Sequence, residues 1–370
     1  MKLISLDLLN FKNYEQAEFL FKAQINCFTG NNGSGKTNIL DAIHYLSFCK
    51  SHFNAIDVQN IKHGTEFFVI EGKFDMDDET DQVFCSVKKG QGKTFKRNKK
   101  SYEKLADHIG KYPSVIITPY DIELVKGGSE LRRKFIDKII SQYDRPYLDN
   151  LIKYNRSLSH RNNLLKFFSE NRTFDQDQLN IWNDQLVEHG NYIYRKRRDF
   201  ISELSPMFTE LYKTISGSEE NVSVEYRSQL NQGNFYELLV ACQQDDRRRN
   251  YSTVGLHKDD LLLKIGEHPI KKFGSQGQQK SLLIALRLAQ FQFIKEVKGV
   301  VPILLLDDIF DKLDDQRVKN LIELVSEEEF GQIFISDTSD LRMIQIFEEI
   351  GKEYEIFKVS KGELSHENIA

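Results

Sequence analysis

The stretch "GNNGSGKT", Gly30 to Thr37, constrains this chain more than any other, because it satisfies G-x-x-x-x-G-K-[ST] at every defined position. Its surroundings fit as well. The apolar run "INCF" precedes it as a short buried strand, and Ile39, Leu40, Ile43 and Leu46 fall on one face of a helix predicted over Lys36–Phe48. A strand that passes into a helix through glycines lets successive N–H groups face phosphate oxygens, and the helix N-terminus adds its dipole and its free donors. Gly30, Asn31, Asn32, Gly33, Ser34 and Gly35 are therefore candidates to cradle phosphate. Lys36 is placed to bridge the β- and γ-phosphates of a nucleotide, and Thr37 to hold Mg2+. A second Gly-Lys-Thr, in "GQGKT" (90–94), is a decoy. The first glycine of a real phosphate loop would fall at Val87, and no helix begins there, so this stretch reads as a hairpin turn.

Such a loop calls for a buried strand ending in carboxylates, and "VPILLLDD" supplies one. Asp307 stands at its carboxyl end, where open α/β sheets gather ligand groups, and is the candidate Mg2+ holder beside Thr37. Asp308, the next residue, is the candidate to orient or deprotonate an attacking water. "GQIFISDTSD" reads as another parallel strand. The amino-terminal third alternates in the manner of strands, with "EFFVIEGKF" and "DQVFCSVKK" as a hairpin pair and "PSVIITP" as the last of the group. From Ser129 to Ile215 the texture is helical. Ser129 is predicted to cap "ELRRKFIDKIISQY", Pro146 to open a second helix, and a third to run back from Gln178 until Pro206, so that the last two form an antiparallel arm. Strands resume with "VSVEYRS", "STVGLH" and "DLLLKIG". The predicted fold class is α/β: a mixed sheet assembled from residues 1–120 and 221–370, with a helical lobe, 121–220, inserted between them.

Composition narrows the function classes. Apolar residues make up 40% and charged residues 29%, as in a soluble globular protein with a sizeable core. With 51 basic against 55 acidic residues the net charge is −4, so any contact with nucleic acid must come from a local basic face. Cys27, Cys49, Cys85 and Cys242 are scattered without a CxxC pair, which argues against zinc and for a reducing cytosol. No stretch approaches the roughly 20 apolar residues of a membrane span, and "MKLISLDLLNF" lacks the core of a signal peptide. A cytoplasmic protein with no membrane contact is expected.

One segment exceeds what a simple nucleotide site needs. "KKFGSQGQQKSL" (271–282) places Ser275 to cap a helix that starts near Gln278, whose Leu282, Leu286, Ala289 and Phe293 form an apolar stripe. The result is a second helix N-terminus rich in small residues, suited to receiving phosphate oxygens. "SQGQQKS" resembles the signature loop of ABC-type ATPases, usually Ser-Gly-Gly-Gln, and "DDIFDKLDDQR" resembles their acidic strand end and D-loop, with Asp314 at the D-loop aspartate. The ordered set "NFKNY", "GNNGSGKTNILDAI", "TPYDIELVKGG" with Arg132 and Arg133, "GLHKDDL", "SQGQQKS" and "LLLDDIFDKLD" is similar to the RecF family of bacterial recombination and replication-repair proteins, relatives of SMC heads. The likeness runs from residue 10 to about residue 338.

That resemblance implies an ABC-type ATPase head with an inserted helical lobe. It implies ATP and Mg2+ as ligands and a second copy of the chain as partner, with Ser275, Gly277 and Gln278 capping the γ-phosphate held by the other copy's loop. Lys12 and Asn13 are implied on the base or sugar side of the nucleotide. It further implies an ATP-dependent DNA-binding clamp for gapped or single-strand/double-strand junction DNA, recombinase loading in DNA repair, replication and the SOS response, and a RecR-like mediator as partner. Departures from the broader ABC pattern imply a slow, switch-like ATPase. Gln276 stands where glycine is general, Asp308 where the catalytic residue is usually Glu, and Asp337 and Thr338 where a switch histidine is expected. The turn Pro119–Asp121 lies where a Q-loop belongs but holds no Gln. Two other classes compete. A transporter's ATPase subunit is disfavoured by the long helical insert and the lack of a coupling motif. A metabolic P-loop kinase has no use for a signature loop or a D-loop.

Three basic patches stand out: "KKGQGKTFKRNKK" (88–100), Arg195 to Arg198, and Arg247 to Arg249. The first reads equally as a contact for a phosphate backbone and as a charge-protected sheet edge. The other two read as solvated faces. His257, in "GLHKDDL", reads as a structural hydrogen-bonding residue at least as well as a catalytic one.

Overall fold

In the computed structural model, which describes residues 1–76, 79–310, 313–360 and 362–367, the amino end forms β1 (Lys2–Leu9), β2 (Gln16–Leu20), β3 (Ile25–Thr29) and α1 (Lys36–Phe48). Five strands follow: β4 (Phe67–Asp75), β5 (Thr80–Lys88), β6 (Gly92–Arg97), β7 (Lys100–Ser101) and β8 (Ser114–Ile117). The helical stretch comprises α2 (Glu123–Lys126), α3 (Ser129–Tyr143), α4 (Arg145–Asn171) and α5 (Gln176–Ser216). Next come β9 (Val222–Arg227), α6 (Phe235–Ala241), α7 (Gln243–Arg249), β10 (Asp260–Ile265), β11 (His268–Pro269) and α8 (Ile270–Phe273). The carboxyl end is α9 (Gln276–Lys298), β12 (Ile303–Asp307), α10 (Asp315–Val325), β13 (Ile333–Asp337), α11 (Asp340–Ile350), β14 (Tyr354–Ser360) and β15 (Glu363–Glu367).

The chain divides into two compact units. The first takes Met1–Asp121, Leu211–Ser218 and the chain from Ile284 onward. Strand alternation builds its antiparallel sheet, ordered β2-β1-β4-β5-β6-β7, and a second sheet, β15-β14-β3-β13-β12-β8, centred on the buried strands β3, β13 and β12, is parallel except for β15. Helix α1 packs against strands of both sheets, which is why it is buried on nearly every side and not along one stripe. Leu6, Phe68, Ile70 and Phe74 from one sheet and Phe28, Leu305, Phe334 and Phe357 from the other close a single core around it. Each such side chain contributes roughly 1.5–3 kcal/mol by leaving water. The parallel register sets Asp337 beside Thr29 and Asp307 beside Ser336, so the carboxyl ends of β3, β13 and β12 line up on one edge.

The second unit takes Ile122–Glu210 and Glu219–Leu283. Its arm is antiparallel, as expected. His160 stacks on Trp182, and the hydrogen-bonded pairs Ser157 with Gln185 (2.9 Å) and Arg161 with Asn183 (2.8 Å) fall on α5 as they rise on α4. The division differs from the expected one over residues 221–283, which join the helices through the small sheet β11-β10-β9. The reason is a set of charges around α3. Arg132 grips the Asp260 carboxylate (2.6 and 3.1 Å), Arg133 donates to the Asp259 carbonyl (2.7 Å), and the buried Arg197 binds both Asp137 and Asp259 at 2.9 Å. "GLHKDDL" is thus largely a structural motif. His257 is held by the Ser252 carbonyl (2.9 Å), and burial lowers its pKa to about 4, so it stays neutral.

Local predictions were corrected in three places. Ser129 is the first residue of α3, whose cap position is Gly128, because its hydroxyl accepts from Arg133 instead (2.7 Å). Helix α5 does not stop at Pro206 but continues to Ser216. Leu204, Phe208, Leu211 and Tyr212 carry the buried stripe through, while Ser202, whose carbonyl loses its donor to the proline ring, is exposed to water. Residues 252–257 form a loop and a short turn, not a strand, since Ser252 and Thr253 bond the side chains of Asn162 and Asp246 rather than a neighbouring strand.

Candidate nucleotide site

The phosphate loop lies where predicted, between β3 and α1 in the first unit. Two of its glycines are required by space and by backbone. Gly30 has φ +143°, and a Cβ there would lie 2.2 Å from the Val359 carbonyl of β14. Gly35 has φ +121°, and a Cβ would meet the Asn13 amide at 2.6 Å and the Tyr14 hydroxyl at 2.8 Å. Side chains from the β1–β2 turn brace the loop from behind. The Asn13 amide donates to the Ser34 carbonyl (2.9 Å) and accepts from Asn38 (2.6 Å), while the Tyr14 hydroxyl donates to the Gly35 carbonyl (3.1 Å). Asn31 and Asn32 are exposed, and the Ser34 hydroxyl is buried without a hydrogen-bond partner.

Three candidate side chains meet at the strand ends. The Lys36 ammonium donates to the carbonyls of Gly30 (2.6 Å) and Asn31 (2.9 Å). Burial lowers its pKa, and the charges of Asp308, Asp307 and Asp337 oppose that shift. The Thr37 hydroxyl donates to Asp307 Oδ1 (2.8 Å), which also accepts from the Ser336 hydroxyl (2.7 Å). Burial raises the pKa of Asp307 despite these two bonds, as for an anion still short of positive charge. Asp308 adopts a left-handed φ of 47°, and its N–H is fixed by the Ser336 carbonyl (3.2 Å) and hydroxyl (3.1 Å). Ser336 was missed in the sequence. Its only signal was a small polar residue at the end of the neighbouring strand, and parallel register turns that into a clamp on both aspartates.

The ammonium of Lys12, a residue expected on the base or sugar side of the nucleotide, binds the buried Asp41 of α1 at 2.6 Å and sits 5.3 Å from the Phe53 ring centroid. Asp337, at the switch position, accepts from the Ser339 N–H (2.8 Å), and Thr338 is exposed. In the turn after β8, Asp121 accepts from the Thr118 N–H (2.9 Å) and pairs with Arg287 of α9 (2.5 Å).

The signature stretch, in the second unit, forms a reciprocal cap. The Ser275 hydroxyl accepts from the Gln278 N–H (3.2 Å), and the Gln278 side chain accepts from the Ser275 N–H (2.7 Å). Helix α9 therefore begins at Gln276, two residues before the predicted start. The Gln278 amide also donates to Glu220 (2.6 Å), so its side chain is committed to the loop's own shape. Gln279 is buried and ties the loop to the Gly274 carbonyl (2.9 Å). Ser275, whose oxygen accepts but whose proton remains to donate, is exposed, and Gly277 is half-buried. Of the D-loop run, Asp311 and Lys312 lie outside the described residues, and Asp314 caps α10 by accepting from the Arg317 N–H (3.0 Å).

The donor set suits a nucleotide with Mg2+. A cradle closed to any Cβ, an orphaned Ser34 hydroxyl and an electron-rich Thr37–Asp307 pair are what a triphosphate and a hard cation require. Among the described residues no helix is long and apolar enough to cross a membrane. The family model for the RecF/RecN/SMC N terminal domain matches residues 2–364. The chain is 52% identical to the DNA replication and repair protein RecF of Flavobacterium johnsoniae over 97% of its own length and 100% of the relative's. It is 48% identical to the RecF of Phocaeicola vulgatus over 99% and 98%. Among solved structures it is similar to the recombination mediator protein RecF with ATPrS in the RecFOR pathway (TM-score 0.88, 27% identity, covering 99% and 98%). An Smc head domain from Pyrococcus furiosus shares the fold alone (TM-score 0.58, 18% identity, covering 100% and 96%). These matches span nearly the whole chain and favour the repair reading over a transporter subunit or a metabolic kinase. The chain belongs to the RecF family of DNA replication and repair proteins.

Proposed function

We propose that this chain is an ATP-gated DNA clamp of the RecF type. Two copies close face to face when ATP is bound, and the closed pair holds gapped or junction DNA and assists recombinase loading, with a RecR-like mediator, in the cytoplasm. The observation that carries this reading is the split character of the site. A complete phosphate loop with its acidic strand end accompanies a capped, exposed helix N-terminus at Ser275 that a lone nucleotide enzyme does not need. Surface chemistry supports it further. The three most exposed large apolar side chains among the described residues are Leu341, Tyr120 and Phe273. Each lies within a few residues of a site element: the end of β13, the end of β8 and the signature loop. The relatives named above act in DNA replication and repair, and a solved relative is RecF with ATP.

In this mechanism the phosphate-loop N–H groups and Lys36 bind the β- and γ-phosphates, and Thr37 and Asp307 hold Mg2+. Mg2+ supplies charge neutralisation at the phosphate oxygens. Ser275 and the first N–H groups of α9, which lack partners within the helix, cap the γ-phosphate of the opposite copy. Asp308 orients the attacking water. Its side chain is one methylene shorter than the usual glutamate and its backbone is pinned by Ser336, so hydrolysis is slow and acts as a release timer. The test is binding to gapped DNA with ATP, with ADP and with no nucleotide. Binding should be tightest with ATP by about tenfold or more, the effect of about 1.4 kcal/mol of coupling, and equal affinity in all three states would rule out gating.

A further inference from the structure

The three basic patches of the sequence differ once their partners are known. On the arm, Lys196 binds Asp144 (2.6 Å), Arg197 is buried between two aspartates, and Arg198 leans on Asp199 (2.9 Å). In the 247–249 run, Arg247 lies 3.9 Å from the Phe174 ring centroid and Arg248 pairs with Asp245. On the hairpin itself, Lys89 is paired with Glu66 (3.4 Å) and Lys93 with Asp57 (2.7 Å). Arg195 on the arm is exposed and without a carboxylate partner among the described residues, but at the hairpin's far end several such cations lie close together. There a groove of about 410 Å³ is lined by Arg97, Asn98, Lys100, Tyr102, Asp107 and Lys111, among others. Among the described residues no carboxylate pairs with Lys99, Lys100 or Lys111. From Arg97 to Lys111 the chain carries five basic residues against two acidic ones.

The frame under these charges is rigid. Arg97 is held by Asp81 (2.9 and 2.8 Å) and by the Tyr112 hydroxyl (3.1 Å). Asn98 is stitched to β5 through the Gln82 N–H (2.8 Å) and the Asp81 carboxylate (2.7 Å). The two-residue turn has both members left-handed, Asn98 at φ 48° and Lys99 at φ 66°. Such turns favour glycine at the second position, so a lysine there is kept against local preference. Burial, and after it the charge of Lys111, lowers the pKa of Lys298 nearby.

We propose that this groove seats the phosphodiester backbone of duplex DNA without reading its sequence. The inference rests on the DNA-clamp reading above and adds the surface that meets the duplex. No aliphatic side chain lines the groove to anchor a protein partner. Tyr102 packs against Phe95 and His108, so its ring is not a platform for an unstacked base. What remains is a polar groove that carries Lys100 and Lys111, with Lys99 on the adjoining turn, the chemistry of backbone contact.

The test is anisotropy of a labelled random-sequence duplex on the full chain with ATP and Mg2+, across a salt series. In Lys99→Glu/Lys100→Glu/Lys111→Glu the affinity should fall about tenfold or more, and the slope of log K against log salt should shrink by roughly 2 to 3. Charge reversal keeps the edge strand charged, so a role in guarding the sheet edge would leave DNA affinity unchanged. Lys99→Gly is a second variant: it relieves the left-handed backbone, so its Tm should rise while its DNA affinity drops. Arg195→Glu/Arg247→Glu should bind close to wild type. A groove variant with wild-type affinity and slope, or an Arg195→Glu/Arg247→Glu variant that loses more, overturns the assignment. If wild type binds no DNA in any nucleotide state, the clamp reading itself falls and this inference with it.

Discussion

Lys36→Met is expected to weaken ATP binding by about 100-fold while leaving thermal stability unchanged or slightly raised. The two halves of that result have separate causes. A hydrogen bond to a charged group is worth about 1.5–3 kcal/mol, and Lys36 would make such bonds to two phosphates at once. In the fold, by contrast, its ammonium is buried against two carbonyls, and burial already disfavours its charge. Methionine fills the same space without that penalty. Calorimetric titration with ATP and a melting curve measure the two halves independently. A large loss of stability would mean that Lys36 holds the loop's shape rather than the ligand.

Asp259→Ala should lower the stability of the second unit by about 3–5 kcal/mol, the usual effect of leaving a buried charge without its partner. Arg197 is nearly inaccessible to water and divides its guanidinium between Asp137, Asp259 and the Leu256 carbonyl. The Tyr226 hydroxyl donates to the same Asp259 carboxylate, so the alanine strands two donors. Asp199→Ala, which removes a partner from the exposed Arg198, should change stability by about 0.5 kcal/mol or less. Denaturant melts of both variants give the comparison. Similar small effects would show that the Arg197 cluster is incidental to the fold.

Much of the fold was legible because the signals were local. Glycine spacing and flanking apolar runs placed the phosphate loop and α1 to the residue, and fully apolar runs ending in carboxylate located β12 and β13. The misreadings came from tertiary effects. Proline at position 206 is a local stop signal, but the buried stripe of α5 outweighs it. The assignment of residues 221–283 depended on which charges Arg132, Arg133 and Arg197 would find, and pairing across more than fifty residues leaves no periodic trace. Within the site, only the fold shows that the Lys12 ammonium pairs with Asp41 and that Ser336 arrives from the neighbouring strand to hold Asp307.

The central claim is that half of each ATP site is lent by a second copy of the chain. Light scattering during size-exclusion chromatography tests it most directly, with ATP and Mg2+, with ADP, and with neither. The predicted result is twice the monomer mass with ATP alone, and monomer mass under every condition for Ser275→Arg, whose bulk fills the space meant for the γ-phosphate. A wild-type mass that ignores nucleotide, or a Ser275→Arg variant that dimerises as wild type does, would contradict the account.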